Sequence, residues 1–465
     1  MEPNSLLGVF FWGFLLIYGL VMYALSPRAA TLGGFFHGED SQGRSAAPWL
    51  LTSSIFISWI FAKSVTNAAN LGASYGLIGG LAYATYWLSI PLAGFVIFRL
   101  RRRFGATGLV SFLITHYGRS AALAFSAAIL IRLFNEVWSN TAVVGGYYGV
   151  AGSIEFIGAA LLFTVVTLAY SLRGGLRSSI MTDAAQAGIF LIALVWVLGL
   201  VLPQHSTREL MSTSHWAMSS GVDLLLVAGL QIFSYPFHDP VLTDRGFITE
   251  ERTMRRSFFV AGLLGFVAIL AFSLIGVHAT LAGIDVSDNV PAALAKSMGV
   301  VALLVMTVVM VSAAGSTLDS TFSSLAKLVG RELPLLAGHD LGKKAIGVGM
   351  SVMVIFAVLG NIPMLTGTDI LKATTLSGTM VIGLAPVFVL HGMVTPTRLG
   401  FHLSFWCGIA LGIALTLGWI PQSWAIGNGK YALLLGTNLY GLALCILGYL
   451  IPGYLSKRVS ERVAI

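Results

Sequence analysis

Between Val308 and Glu332 the chain reads VVMVSAAGSTLDSTFSSLAKLVGRE, apolar at first and then rich in hydroxyls with no proline to break a helix. At about 100° per residue, Ser312, Ser316, Asp319, Ser320, Ser323 and Lys327 fall on one face. Hydroxyls and charges turned to acyl chains cost several kcal/mol each, so that face must meet protein, water or an ion. Three other groups of polar residues sit in apolar surroundings. Lys63, Thr66, Asn67 and Asn70 share a face at i, i+3, i+4, i+7. Arg132, Asn135, Glu136, Ser139 and Asn140 lie along one side of a long apolar stretch, where Arg132 and Glu136 at i, i+4 read as an ion pair. Asp183 opens another apolar run together with Thr182 and Gln186. It is either a charge satisfied by a helix N-terminus or an ion ligand, and the sequence leaves both open. His238 reads as a hydrogen-bonded interior histidine, because no second metal ligand stands at helical spacing from it. No nucleophile elbow, P-loop or zincin motif occurs, and an enzyme is not expected.

The elements that position these residues must be membrane helices. The composition is 56% apolar and 10% charged, with a mean hydropathy of +0.86, against roughly 25% charged residues in soluble domains. Thirteen spans are expected, at about 6–26, 48–70, 77–98, 119–150, 154–172, 179–201, 222–238, 257–280, 297–329, 345–360, 372–391, 401–419 and 432–452. The fold class is therefore all-α and polytopic. With the N-terminus outside, inward segments hold twenty of the twenty-seven Lys and Arg, Arg245 among them, and outward segments hold Arg208, Lys296, Lys372 and Lys430. That bias fixes the N-terminus outside and the C-terminus in the cytoplasm, and it explains the net charge without nucleic acid. The first segment, MEPNS, lacks a basic residue, so the first span reads as an uncleaved helix. Cys407 and Cys445 both lie in spans and form no disulfide framework.

Two spans carry breaks. From Leu50 the second runs LLTSSIFISWIFAKSVTNAANLGASYGLIGG, with small and polar residues at mid-span, and the short seventh is interrupted by Pro236 and Pro240. Freed backbone groups must line a cavity, so such breaks in corresponding positions point to inverted repeats around a midplane site. The expected organisation is a peripheral helix and loop over 1–46, five-helix repeats over 47–201 and 202–391, and two further helices with a basic tail over 392–465.

Taken together, these segments resemble the solute:sodium symporter family. SAAGSTLDSTFSSLAKLVGRE resembles its Ser-Thr, Asp-Ser signature, ending in the pair Arg331 and Glu332. GGLRSSIMTDAAQ resembles the motif opening its fifth core helix, SYPFHDPVLTDRGF the end of its sixth, and the Gly72 to Gly79 run the end of its first. The resemblance covers about residues 45 to 392 and implies a LeuT-type inverted-repeat fold and uptake of a solute coupled to sodium. It also implies a sodium site from the hydroxyls of Ser316 and Thr317 and the carbonyls of Ala313, Trp59 and Ala62, which suits a hard cation. Where the family has a second cation site, the matching residues are Asp183, Asp319 and Ser320. Tyr235 matches an inner gate.

Lys63 departs from that pattern. Following Ala62 directly, its ammonium either fills the cation site, with Asp319 or Asp183 as partner and proton-coupled or uncoupled transport as the result, or points away and leaves sodium in place. Thr66, Asn67, Asn70, Glu136, Trp138, Tyr235 and His238 offer hydrogen bonds and an aromatic wall to a small polar solute. The expected activity is cation-coupled symport by alternating access in a bacterial inner membrane. A solute sensor working with a separate partner protein is the alternative.

Overall fold

The computed structural model describes residues 6–284, 289–366 and 377–463, and every regular element among them is helical. Ten of these helical stretches are long and apolar enough to cross a membrane, and two shorter apolar helices, Pro48–Ser58 and Val222–Gln231, stand where the broken spans were expected. The protein is an integral membrane protein. The expected span at 372–391, with Lys372, lies partly outside the described residues.

The chain begins with α1 (Leu6–Leu25), which packs on α6 (Ile154–Gly174). The expected span at 48–70 is two helices, α2 (Pro48–Ser58) and α3 (Ala62–Ala84). The break lies at Trp59 to Phe61, upstream of the polar stretch whose composition announced it. Trp59 closes α2 at φ −103°, ψ −1°, and Phe61 is extended at φ −66°, ψ 143° before Ala62 restarts the helix. Downstream, α3 is itself two helical pieces that meet at Gly76, whose φ of 63° and ψ of −147° only glycine adopts without strain. The Leu77 amide freed there donates to Ser214 Oγ at 2.7 Å. The chain continues through α4 (Ser89–Phe104), α5 (Arg119–Tyr148), α6 and α7 (Leu176–Val201).

The seventh expected span shows a similar break for a different reason. Its helix, α8 (Val222–Gln231), stops before Pro236, and a 3-10 turn (Tyr235–His238) leads into the one-turn helix α9 (Pro240–Thr243). Proline removes a donor and pushes the residue before it into extended geometry, and Asp239 at φ −107°, ψ 98° obeys that rule. Asp239 then caps α9 by accepting from the Val241 amide at 3.1 Å. After α10 (Glu251–Leu281) comes α11 (Val300–Lys327), then α12 (Lys344–Leu359), α13 (Leu384–Val389), α14 (Arg398–Thr416) and α15 (Ala432–Val463).

Helix α11 is central, touching α2, α5, α6, α7 and α12, and every residue from Val309 to Leu328 is buried. Its polar stripe therefore faces protein, as its composition requires. Helices α3 and α10 pack at backbone distance, since a Cβ on Gly276 would lie 1.8 Å from the Ala69 carbonyl oxygen. No rotamer change relieves a clash with backbone. Gly276→Ala should therefore destabilise the purified protein by about 3 kcal/mol, read as a lowered midpoint of thermal unfolding.

Candidate functional site

The two helix breaks meet beside a cavity of about 40 Å³, lined by Trp59, Phe61, Ser64, Leu71, Tyr83, Tyr86, Trp87, Leu224, Tyr235 and Tyr431. The first break supplies Trp59 and Phe61, the turn after α3 supplies Tyr86 and Trp87, and the second break supplies Tyr235. Their rings meet edge-on or tilted: Trp59 to Tyr235 at 6.1 Å, Trp59 to Trp87 at 6.2 Å, and Tyr86 to Tyr235 at 5.7 Å between centroids. Such contacts stiffen an aromatic wall.

Behind Phe61 and Tyr235 lie four buried charges. Lys63 Nζ donates to Glu136 Oε1 at 2.6 Å and to Ser139 Oγ at 3.2 Å. Arg132 donates to the same Glu136 oxygen and, through Nη2, to Asp239 Oδ2 at 3.0 Å. Trp59 Nε1 also donates to Asp239 Oδ2, at 3.0 Å. The expected Arg132 to Glu136 pair is present and belongs to a quartet that joins α3, α5 and the second break. The expectation that Lys63 pairs with Asp319 or Asp183 is corrected, because Glu136 is nearer and can serve both cations.

The hydroxyl stripe of α11 meets the end of α2. Thr317 Oγ1 is 3.1 Å from the Ala313 carbonyl and 3.3 Å from the Ser58 carbonyl. The α2 carbonyl nearest Thr317 is thus that of Ser58, one residue before Trp59, while the Ala62 carbonyl accepts from Thr66 Oγ1 at 3.3 Å. Ser316 Oγ donates to Asp183. Threonine hydroxyl and helix-end carbonyls are oxygen ligands of the kind hard cations take.

Asp183, Asp319 and Ser320 come together, as the sequence suggested. Ser179 Oγ reaches Asp319 Oδ1 at 2.7 Å, and Thr182 Oγ1 reaches Asp319 Oδ2 at 2.9 Å. Arg245, which the sequence places in a loop, is fully buried among them. Its Nη2 donates to Asp183 at 3.0 Å and to Ser320 at 2.7 Å, its Nε to Ser54 at 2.7 Å, and its Nη1 to the Val241 carbonyl. Asp183 is therefore an ion-pair partner in the interior and not merely a helix-end charge. At the far end of α11, Lys327 Nζ bridges Asp244 at 2.5 Å and Glu332 at 3.2 Å.

The solute candidates divide. Tyr235 lines the cavity, Asn67 Nδ2 donates to the phenol oxygen of the lining Tyr83 at 3.1 Å, and His238 donates from Nδ1 to the Tyr235 carbonyl at 2.6 Å. Glu136 belongs to the quartet. Thr66 turns its hydroxyl back onto α3. Asn70 accepts from the Val290 amide at 3.1 Å, and Trp138 packs with Phe156, Ala160 and Met364 in a separate cluster; neither lines the cavity. The sequence reading missed Asp239, Arg245, and Tyr83, Tyr86 and Trp87. The closely spaced aromatics at 83 to 87 and the Asp beside His238 were the available signals.

No family model matches the chain. The sodium/glucose cotransporter 1 of Oryctolagus cuniculus is 23% identical over 189 residues, covering 40% of this chain and 28% of that protein. The sodium/pantothenate symporter of Escherichia coli (strain K12) is 25% identical over 186 residues, covering 39% of this chain and 38% of that protein. In those matches the chain spans well under half the length of its curated relatives. Among solved structures, a Na+-coupled sialic acid symporter superposes over 97% of this chain and 98% of its own, with a TM-score of 0.74 at 14% identity. The chain has the LeuT-type fold of the sodium:solute symporters. MhsT, solved in complex with L-phenylalanine, shares that fold at a TM-score of 0.55 and 15% identity over 88% of this chain. These relatives are transporters rather than enzymes, and here both breaks contribute to the lining of the cavity described above, while α11 meets the first break at the Ser58 carbonyl.

Proposed function

We propose that the chain is a secondary active transporter that couples uptake of a small polar solute to one sodium ion by alternating access. The observation that carries this reading is the convergence of Thr317 Oγ1 with the Ala313 and Ser58 carbonyls at a helix break. Lys63 is committed to Glu136 and Ser139 instead of this place, which favours sodium over a resident ammonium. The solute would occupy the aromatic cavity, one to two residues along the same break. Residues 47–201 and 202–391 would form the two repeats that move against each other. The N-terminus would lie outside and the C-terminus in the cytoplasm of a bacterial inner membrane, as the distribution of Lys and Arg argues.

Reconstituted protein should accumulate solute from a panel of small polar compounds when a sodium gradient is imposed, and should not respond to a proton gradient alone. Ser316→Ala with Thr317→Ala removes two hydroxyls and should raise the sodium concentration for half-maximal uptake at least about tenfold, the equivalent of 1.4 kcal/mol. Uptake indifferent to sodium in the parent protein, or an unchanged sodium dependence in the double variant, would sink this reading.

A further inference from the structure

The quartet behind the cavity is balanced in charge but not in hydrogen bonding. Glu136 accepts at Oε1 from Lys63 and Arg132 and at Oε2 from Asn140 Nδ2 at 3.0 Å. Asp239 accepts at Oδ2 from Arg132 and Trp59 and at Oδ1 from the Val241 amide. Both carboxylates thus have every oxygen engaged. Arg132 is 4% exposed, yet its Nε–H has no partner among the described residues. A guanidinium holds its donors in a fixed fork, so one unmet N–H in a buried cluster marks a place for an acceptor.

The position of that surplus matters. The Arg132 guanidinium lies 5.3 Å from the Phe61 ring centre and 5.8 Å from that of Tyr235, and Lys63 Nζ lies 5.1 Å from Phe61. Both rings line the cavity. Among the described residues the cavity lining carries no acidic or basic side chain, and two of its phenols are engaged, Tyr86 with Gln231 at 2.7 Å and Tyr83 with Ser64 at 3.2 Å. Aromatic cages favour cations. Here the cage already has its own cations against Phe61 and Tyr235, and a cationic solute would meet them.

We propose that the solute is a small carboxylate with an apolar or aromatic body, its body held by Trp59, Trp87 and Tyr235 and its carboxylate received by Arg132 between Phe61 and Tyr235. Arginine is suited to this because its planar fork matches carboxylate geometry. A carboxylate adds one negative charge to a neutral quartet, and one co-bound sodium ion restores neutrality. The inference rests on the transporter reading above for the solute's place in the cavity.

The test compares three probes that share one body: phenylacetate, phenylacetamide and benzyltrimethylammonium, titrated calorimetrically into the full chain in nanodiscs with sodium present and again with sodium replaced by choline. Phenylacetate should bind at least about tenfold more tightly than either of the others. Arg132→Lys, which keeps the charge balance but loses the fork, should weaken phenylacetate at least about tenfold and leave phenylacetamide unchanged. Equal or tighter binding of the amide or the ammonium, no binding of phenylacetate, or unchanged affinity in Arg132→Lys would each overturn the assignment. The two readings fail separately. Selective phenylacetate binding that ignores sodium would keep the assignment and remove sodium coupling, whereas sodium-dependent binding of the amide alone would keep coupling and remove the carboxylate.

Discussion

An Arg245→Leu variant should lose about 3–5 kcal/mol of stability, the cost of leaving a buried ion pair without one partner. The guanidinium is fully buried and donates to Ser54 of α2, Asp183 of α7, Ser320 of α11 and its own Val241 carbonyl. Removing it strands Asp183, with Asp319 a short hydroxyl bridge away through Ser179. Two carboxylates then share one interior niche with no cation between them. Arg245→Lys should recover little, because a single ammonium cannot reach three helices in the geometry of the fork. Adding Asp183→Asn to Arg245→Leu should recover part of the loss, because the stranded charge is gone. The midpoint of thermal unfolding in detergent reads all three variants, and an Arg245→Leu protein as stable as the parent would show that the guanidinium does not hold the helices together.

Glu136→Leu should be comparably severe, at about 3–5 kcal/mol. Glu136 accepts from Lys63, Arg132 and Asn140, so its loss leaves two buried cations against the single carboxylate of Asp239. The excess is one positive charge, and Lys63→Met removes it. The double variant should therefore be more stable than Glu136→Leu alone, with a coupling between the two sites of about 1–3 kcal/mol. Additive effects across this cycle would mean that Lys63 and Glu136 do not interact in the folded protein.

The sequence carried the fold because the membrane makes polar residues conspicuous. A stripe such as Ser312, Ser316, Asp319, Ser320, Ser323 and Lys327 has to be enclosed, and the structure encloses it on every side. Pro236 and Pro240 announced the second break in a similar way, through a missing donor and forced extended backbone. The first break was harder to place. Trp59 to Phe61 is wholly apolar, and the polar residues that signalled it begin two positions later. Partners across the bundle were not legible at all. Arg245 has the sequence surroundings of a cytoplasmic loop, and its acceptor Asp183 lies 62 residues away. In the sequence Asp319 and Asp183 stand as candidate partners of Lys63, while Glu136 stands at helical spacing from Arg132. One carboxylate oxygen can accept from both, and no pattern along a chain reveals that sharing.

The backbone contact between α3 and α10 has a mechanical consequence. With no side chain between Gly276 and the Ala69 carbonyl, the two helices cannot slide past each other without collision, so they form one stiff arm. On the other side, Ser54 anchors α2 to Asp183 and Arg245, which makes a second stiff arm. The chain passes from α2 to α3 through the helix break at Trp59 to Phe61. That break carries two walls of the cavity and directly follows the Ser58 carbonyl that meets Thr317. Bending at that break would move the cavity wall and the Ser58 carbonyl together, as one piece.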